Sequence, residues 1–511
     1  LKKIINKIPT KLIKGLFKVS LVITLSLFLL FFLIAGAIQV PFIQNYLVDK
    51  TTEYATKMTG YNVSIGGIHI DWFDVVVLEE AVLWDKHKAK MIYLGEAEID
   101  YTVLSLTQGE FHLDNITLRD GEVNLIRYVK DSDINISEFI WKIQELTTPK
   151  VKRKGPPVPI EISKFTMDNM LFSYNDQRES LMKEDYFDHN HFTIDSIHGT
   201  VTNLYAVLDT ILLDAHHLRA GLRESHLKIQ ELNTTFLLDK HQIECSNLYA
   251  KIGESELHDY FRFGYKTIDD LSDFNEKVDI KLRLINSFVS IKDIAHFAPS
   301  LKGISDNIKI TAKMKGRIHR FTVDSLNAYF GKSAHIRGRV DFDGLPDVSE
   351  TFMDINLKEI NVTARDLLQY TGRASHTFLN KFGTMTGKGE FTGVLNDFAV
   401  KGSFKTGLGN IASDINLKIN DNKKIKSYYK GSLSISNFDI GKLLGLDFVQ
   451  KMDMNGEVEG KGFTLEEAEL TLNADIARLG LFDYDYKNIK THATFADNFF
   501  DGTISVKDSN L

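Results

Sequence analysis

Between Asn307 and Ile318 apolar and polar residues alternate: Ile308, Ile310, Ala312, Met314 and Ile318 against Lys309, Thr311, Lys313, Lys315 and Arg317. Val278, Ile280, Leu282 and Leu284 alternate with charged residues in the same way, as do Ile415, Leu417 and Ile419, and again Leu470, Leu472, Ala474 and Ile476. A period of two predicts strands with one apolar and one wet face, the pattern of antiparallel sheet. A parallel α/β sheet would place helices of about 10–15 residues between its strands. Few segments here read that way. The best is Ser137–Leu146, with Ser137 as a candidate N-cap and Phe139, Ile140, Ile143 and Leu146 on one side. The expected fold class is mainly β, with a few short helices.

The alternation fails near the amino terminus. Residues 1–18 hold six lysines and no acid, and no charge follows Lys18 until Asp49. Val19 to Val40 is a run of 22 mostly apolar residues, enough to cross a bilayer core of roughly 30 Å as a helix. Lysines on its amino-terminal side predict a cytoplasmic stub at 1–18, a single transmembrane helix at 19–40, and a body beyond Pro41 on the far side of the membrane. Ala35-Gly36-Ala37 resembles a signal cleavage site, but signal h-regions run only about 7–15 residues.

Half of the eight prolines (Pro149, Pro156, Pro157 and Pro159) surround Lys150, Lys152, Arg153 and Lys154. That stretch reads as a linker at 149–159, between a module at 41–148 and a sheet segment at 160–275. The basic cluster reads as a solvated loop, with contact to anionic headgroups as the alternative. A second loop is expected near 176–192.

Residues 276–511 show an internal period. Asp293-Ile294, Asp366-Leu367 and Asp439-Ile440 are spaced by 73 residues, each after a strand pattern and before a short apolar stretch. Each is followed by a glycine with an apolar residue five positions on: Gly316 and Phe321, Gly393 and Phe398, Gly460 and Leu465. The reading is a stacked unit of a few strands plus one helix, each aspartate capping its helix. A fourth aspartate would fall at 512, so the array is expected to be truncated. Thirteen of the 34 glycines lie between Gly383 and Gly462, where they would supply bulges in a curved sheet.

Composition narrows the function. One cysteine, Cys245, excludes an intramolecular disulfide or a cysteine-based zinc site. Past the stub, 55 basic residues face 68 acidic ones, which argues against nucleic acid. Gly331-Lys332-Ser333 has the ending of a phosphate-binding loop, but Leu326 stands where its first glycine belongs. Asp341-Phe342-Asp343-Gly344 lacks the rest of a calcium-loop ligand set and reads as a hairpin turn. His189 with His191, and His216 with His217, read as exposed loop histidines rather than metal ligands. No GxSxG elbow occurs. The expectation is therefore no enzyme, no cofactor and no metal.

What remains is the apolar face. It either fills closed sandwiches or lines an open trough, and periodicity alone leaves both open. Moving a sixteen-carbon chain through water costs on the order of 12 kcal/mol, at about 0.8 kcal/mol per methylene. A trough would remove most of that without a reacting residue. On this reading the lining comprises Val278, Ile280, Leu282, Leu284, Ile308, Ile310, Ala312, Met314, Ile318, Ile415, Leu417, Ile419, Leu470, Leu472 and Ile476.

The stretch VPFIQNYLVDKTTEYATKMTGYNVSIGGIHIDWFDVVVLEEAVLWD (40–85) resembles the amino-terminal region of AsmA-like proteins, most closely the TamB group of Bacteroidota. GEFTGVLNDFAVKGSFKTGLGNIASDINLKI (389–419) is similar to the repeats of the same family. The resemblance implies an elongated, curled antiparallel β-groove (a β-taco) in the periplasm, anchored in the inner membrane and passing phospholipid toward the outer membrane. It also implies an outer-membrane partner of the barrel-assembly family, engaged through a carboxy-terminal domain that this sequence lacks. No site residue carries over. Two other functions stay open: a scaffold whose sheet edges pair with outer-membrane client strands, and, more weakly, a periplasmic enzyme.

Overall fold

The computed structural model describes residues 26, 40–71, 75–101, 111–147, 159–181, 187–298, 301–420, 426–462, 469–496 and 499–509, in two units, 1–228 and 229–511. Both are mainly β, as the alternation predicts. The basic stub and, apart from Ser26 and Val40, the apolar run 19–40 lie outside the described residues. Among the described residues no helix is long and apolar enough to cross a membrane.

The first unit opens with helix α1 (Pro41–Thr59), which has proline in its first turn and is stopped by Gly60 at φ 75°, whose N–H donates back to the Thr56 carbonyl. Strands β1 (Val63–Ser64) and β2 (Gly67–Asp71) both pair antiparallel with β3 (Val75–Trp84). The sheet continues antiparallel through β4 (Lys90–Tyr101) to β5 (Phe111–Arg127). The expectation of purely antiparallel sheet then needs correction, because β5 and β6 (Ile160–Asp176) are parallel. A parallel neighbour cannot be reached by a hairpin and needs a crossover. Residues 128–159 supply it, carrying helix α2 (Asn135–Thr147). Antiparallel order returns through β7 (His191–Val207) and β8 (Thr210–Leu222).

Helix α2 begins two residues before the expected cap at Ser137. Asn135 ties its start to the sheet, accepting from Ile126 N–H (3.1 Å) and donating to Asp85 (3.1 Å) and the Asn124 carbonyl (3.2 Å). Burial alone would raise the Asp85 pKa. Bonds from Tyr128, Asn135 and the Ala89 and His87 amides outweigh it and hold that carboxyl below its ordinary value. Ile136 and Phe139 pack with Tyr61, Leu83 and Met91, whereas Ile140, expected on the same side as Phe139, is exposed. Of the linker at 149–159 only Pro159 is described. The loop expected at 176–192 is shorter, since Asp176 closes β6 and His191 opens β7.

The second unit is a meander in which each strand pairs antiparallel with the next. Its strands are β9 (Leu227–Asp239, starting just before the boundary), β10 (Gln242–Ile252), β11 (Ser255–Gly264) and β12 (Asp279–Ser290). Then follow β13 (Asn307–Arg317), β14 (Arg320–Phe330), β15 (Ala334–Asp343), β16 (Phe352–Thr363), β17 (Thr384–Val394) and β18 (Asp397–Lys405). Next come β19 (Asn410–Lys418), β20 (Tyr428–Asp439), β21 (Val449–Lys461), β22 (Glu469–Leu481), β23 (Tyr484–Ala496) and β24 (Phe499–Val506). A short helix α3 (Phe274–Lys277) precedes β12. Helices α4 (Ile291–Ala295), α5 (Ala364–Asn380) and α6 (Ile440–Leu444) follow β12, β16 and β20. The repeat is therefore four strands with one helix after the second.

The three aspartates act differently. Asp439 is the expected cap, accepting from Lys442 N–H of α6 (2.9 Å). Asp366, third in α5, bonds Thr363 in a capping box and also reaches the β14–β15 turn, taking Lys332 N–H (2.7 Å) and the Ser333 N–H and hydroxyl (3.2 Å each). Asp293 reaches the β10–β11 turn likewise, taking Glu254 N–H (2.9 Å) and the Ser255 hydroxyl (2.5 Å). So Gly331-Lys332-Ser333 does form an anion-holding turn, and the anion is the protein's own carboxylate.

The glycine–aromatic pairs are cross-strand neighbours, Gly316 with Phe321 and Gly393 with Phe398. Both glycines have positive φ (129° and 139°), and a Cβ on either would lie 2.7 Å from its partner's Cα. The third expected pair fails: Gly460 faces Leu470, and Leu465 lies outside the described residues. Bulges bend the strands, with Asn247, Asn286, Ser325 and Asn437 at φ 48–55° beside register shifts. In β12 the bulge carries the buried face from Leu284 to Ser287.

Candidate functional site: a continuous apolar face

Register in the second unit puts the apolar positions into unbroken rows across the strands. One row begins Phe236, Cys245, Phe261, Leu282, Met314, Val323 and Val340. It continues through Ile355, Phe391, Val400, Ile415, Gly431, Val458, Leu472, Ala493 and Gly502. From β9 to β24 it meets no polar side chain. Two residues along each strand a second row runs through Ile280, Gly316, Phe321, Phe342, Met353, Gly393, Phe398, Leu417, Tyr429, Gly460 and Leu470. A third, beyond the bulges, links Ile310, Ala328, Ile336, Ile360, Gly387, Phe404, Ile411, Ile435, Met454 and Ile476. The residues between the first two rows point to the other face, and there polar types dominate: Lys281, Lys315, Thr322, Asp341, Asp354 and Thr392.

At about 4.8 Å per strand, sixteen strands extend the rows over roughly 70 Å. The sequence shows which residues face together, but only register shows that they align. Glycines sit in and between the rows where backbones approach. A Cβ on Gly389, between the first and third rows, would lie 2.9 Å from the Phe404 ring, and Phe391 and Phe398 stack at 4.7 Å.

Twelve of the fifteen expected lining residues belong to this face. Leu282, Met314, Ile415 and Leu472 are in the first row, Ile280, Leu417 and Leu470 in the second, and Ile310 and Ile476 in the third. Leu284 pairs with Ala312, and Ile308 with Val289. Three do not belong. Val278 is fully buried as the C-cap of α3, Ile318 lies in the β13–β14 turn, and Ile419 follows β19 at 37% exposure. Strand alternation runs on past the strand ends, so turn residues mimic it.

Burial on the face is uneven. Ile280, Leu284, Ala312 and Ile476 are buried, but Leu282, Ile310, Met314, Ile415, Leu417 and Leu472 keep partial exposure. Along β17, β18 and β19 the large apolar side chains of this face are half-buried. Sequence reasoning missed Cys245 as a row member, and burial pushes its thiol pKa up.

The residues weighed for chemistry have structural roles. Asp341 and Asp343 close β15, and Asp341 is held by Arg339 and Thr322; Gly344 begins the connection, so the segment is not a tight turn. His191 is not an exposed loop residue: its ring contacts Asp188 and the Asp176 carbonyl at 2.9 Å each. His216 and His217 lie within β8, with His216 against the Thr202 hydroxyl. No group of three or more potential metal ligands occurs among the described residues.

Fold and face together define a mainly β protein whose second unit is built of four-strand repeats and presents a continuous apolar face. No protein-family model, curated protein or solved structure matches the chain.

Proposed function

We propose that the chain is a lipid-transfer conduit anchored in the bacterial inner membrane by residues 19–40, with its amino terminus in the cytoplasm and its body in the periplasm. The apolar rows carry phospholipid acyl chains toward the outer membrane. The observation that supports this most is continuity: the first row crosses from β9 to β24 with no polar side chain, while partial exposure leaves surface for an acyl chain. Each methylene laid on such a face recovers about 0.8 kcal/mol of hydration cost, and every strand offers the next one an equivalent site. In this reading the curled β-groove of the AsmA-like and TamB proteins is the form the face takes, and an outer-membrane barrel-assembly protein is the partner at its far end.

The scaffold reading has less to draw on. Strands β10 to β23 have both edges paired, so client strands would find backbone donors only at sheet ends. A photocrosslinker placed in turn at Leu282, Ile310 and Leu417 is expected to capture phospholipid, with Lys309 as the control. Failure at all three positions together with capture at Lys309 would sink the conduit.

A further inference from the structure

The opposite, polar face of the second unit carries a hollow of about 520 Å³ over β16 to β21. Two rows of side chains line it. In one, Asn356, Glu390, Lys401, Asp414 and Ser432 follow in register, and its charged groups have partners: Asn356 donates to Glu390 at 2.8 Å and Lys401 pairs with Asp414 at 3.2 Å. In the other, Lys388, Ser403, Ala412, Ser434 and Asn455 follow in register, with Lys358 beside Lys388 at the β16 bulge. Among the described residues neither Lys358 nor Lys388 has a carboxylate within 4 Å, and the hydroxyls of Ser403 and Ser434 are uncommitted. The second row therefore presents two ammonium groups and then small donors over a shallow floor set by Ala412. Three lysines against two carboxylates leave the hollow positive on a body that is acidic overall.

The geometry points to a binding site for a phosphorylated polyol, its phosphate at Lys358 and Lys388 and its hydroxyls over Ser403 and Ser434. Two unpaired like charges on adjacent strands repel each other, and an anion between them turns that repulsion into charge-assisted hydrogen bonds. Neutral hydroxyls beyond them suit a glycerol or sugar alcohol better than a second anion. The same chemistry occurs in a glycerophosphoryl lipid headgroup and in free glycerol phosphate. Because the hollow lies on the face away from the apolar rows, its failure would leave the conduit reading intact.

Titrating the whole chain into sn-glycerol 3-phosphate, followed by phosphorus-31 linewidth, tests the site. Saturable broadening is expected, weakened by about tenfold or more in the Lys358→Ala/Lys388→Ala double variant. Ala412→Leu fills the exposed floor without changing charge. It should weaken glycerol 3-phosphate binding and spare inorganic phosphate. Cosedimentation with phosphatidylglycerol vesicles separates the sources. Loss in the double variant assigns the headgroup, whereas unchanged cosedimentation with lysine-dependent binding of the soluble ligand assigns the free polyol. No saturable binding, or equal binding by the double variant, overturns the site.

Discussion

Replacing Asp366 by alanine should release helix α5 from the β14–β15 turn, and the cost can be worked from the bonds it makes. The side chain is 4% exposed and accepts three backbone amides, from Lys332, Ser333 and Thr363, besides the hydroxyls of Ser333 and Thr363. The hydroxyls can turn to water, but the amides are fixed by the turn and the helix start. Stranding three amides at the low end of the usual penalty costs about 3 kcal/mol. Loss of a negative charge near the helix start adds about 0.5 kcal/mol. At 1.4 kcal/mol per tenfold, local opening should become a few hundred times more frequent. Asp439→Ala, which removes a simple cap, should cost about 1 kcal/mol. Amide hydrogen exchange of residues 330–336 reads the difference locally, which suits a repeat protein whose global unfolding need not be two-state. The pH dependence provides a second check. Burial would raise the Asp366 pKa, but its hydrogen bonds outweigh that and set it below the ordinary value. The stabilisation is thus complete above the unfolded carboxyl's pKa and is lost only as pH falls through the lower folded value. Exchange at Lys332 and Ser333 faster by less than about tenfold in Asp366→Ala would refute the assignment.

Four further outcomes are expected. Met314→Glu, in the first row, should block lipid transfer between vesicles, whereas Thr322→Glu on the polar face should not; equal effects would dissociate the rows from transport. Gly393→Ala should destabilise its hairpin by about 2 kcal/mol or more, through positive φ and contact with Phe398. At Gly383 (φ 63°) nothing but glycine backbone lies within 4 Å, so only the φ strain of about 1 kcal/mol applies; chemical denaturation compares the two. Asp176, almost fully buried, has its pKa lowered to about 2, chiefly by the Arg178 side chain with burial opposing. The first unit should accordingly lose about 2 kcal/mol as pH falls from near 4 through 2, a loss absent in Asp176→Asn and measurable by acid titration of its circular dichroism. Cys245, 9% exposed with a raised thiol pKa, should resist maleimide at neutral pH until the second unit unfolds.

Alternation gave β13 nearly to the residue, since Asn307–Ile318 was expected and Asn307–Arg317 is observed. It also placed most of the face, because a period of two is a local property that register does not alter. Local patterning could not show that β5 and β6 run parallel, which depends on where residues 128–159 lead the chain. Nor could it show that Asp293 and Asp366 look past their own helices to turns 38 and 33 residues upstream, at Ser255 and Ser333. A capping aspartate and a bridging one have the same local sequence signature. The bulges at Asn286 and Ser325 were hidden for a similar reason, since polar residues tolerating positive φ also serve as ordinary outward-facing positions. The hollow over β16 to β21 depends on the register of six strands, and no single strand carries its mark.

Strict succession of neighbours in the second unit bears on how the chain is made. From β10 onward each strand docks on the one synthesised just before it, so no strand waits for a distant partner. Contacts of short sequence separation form quickly, and a chain emerging amino terminus first could zip strand by strand, its newest edge always the correct template. Inserting or deleting a whole four-strand unit would leave that process and all three rows in phase. Length could then change in evolution by single steps of one unit, without redesign of what lies on either side.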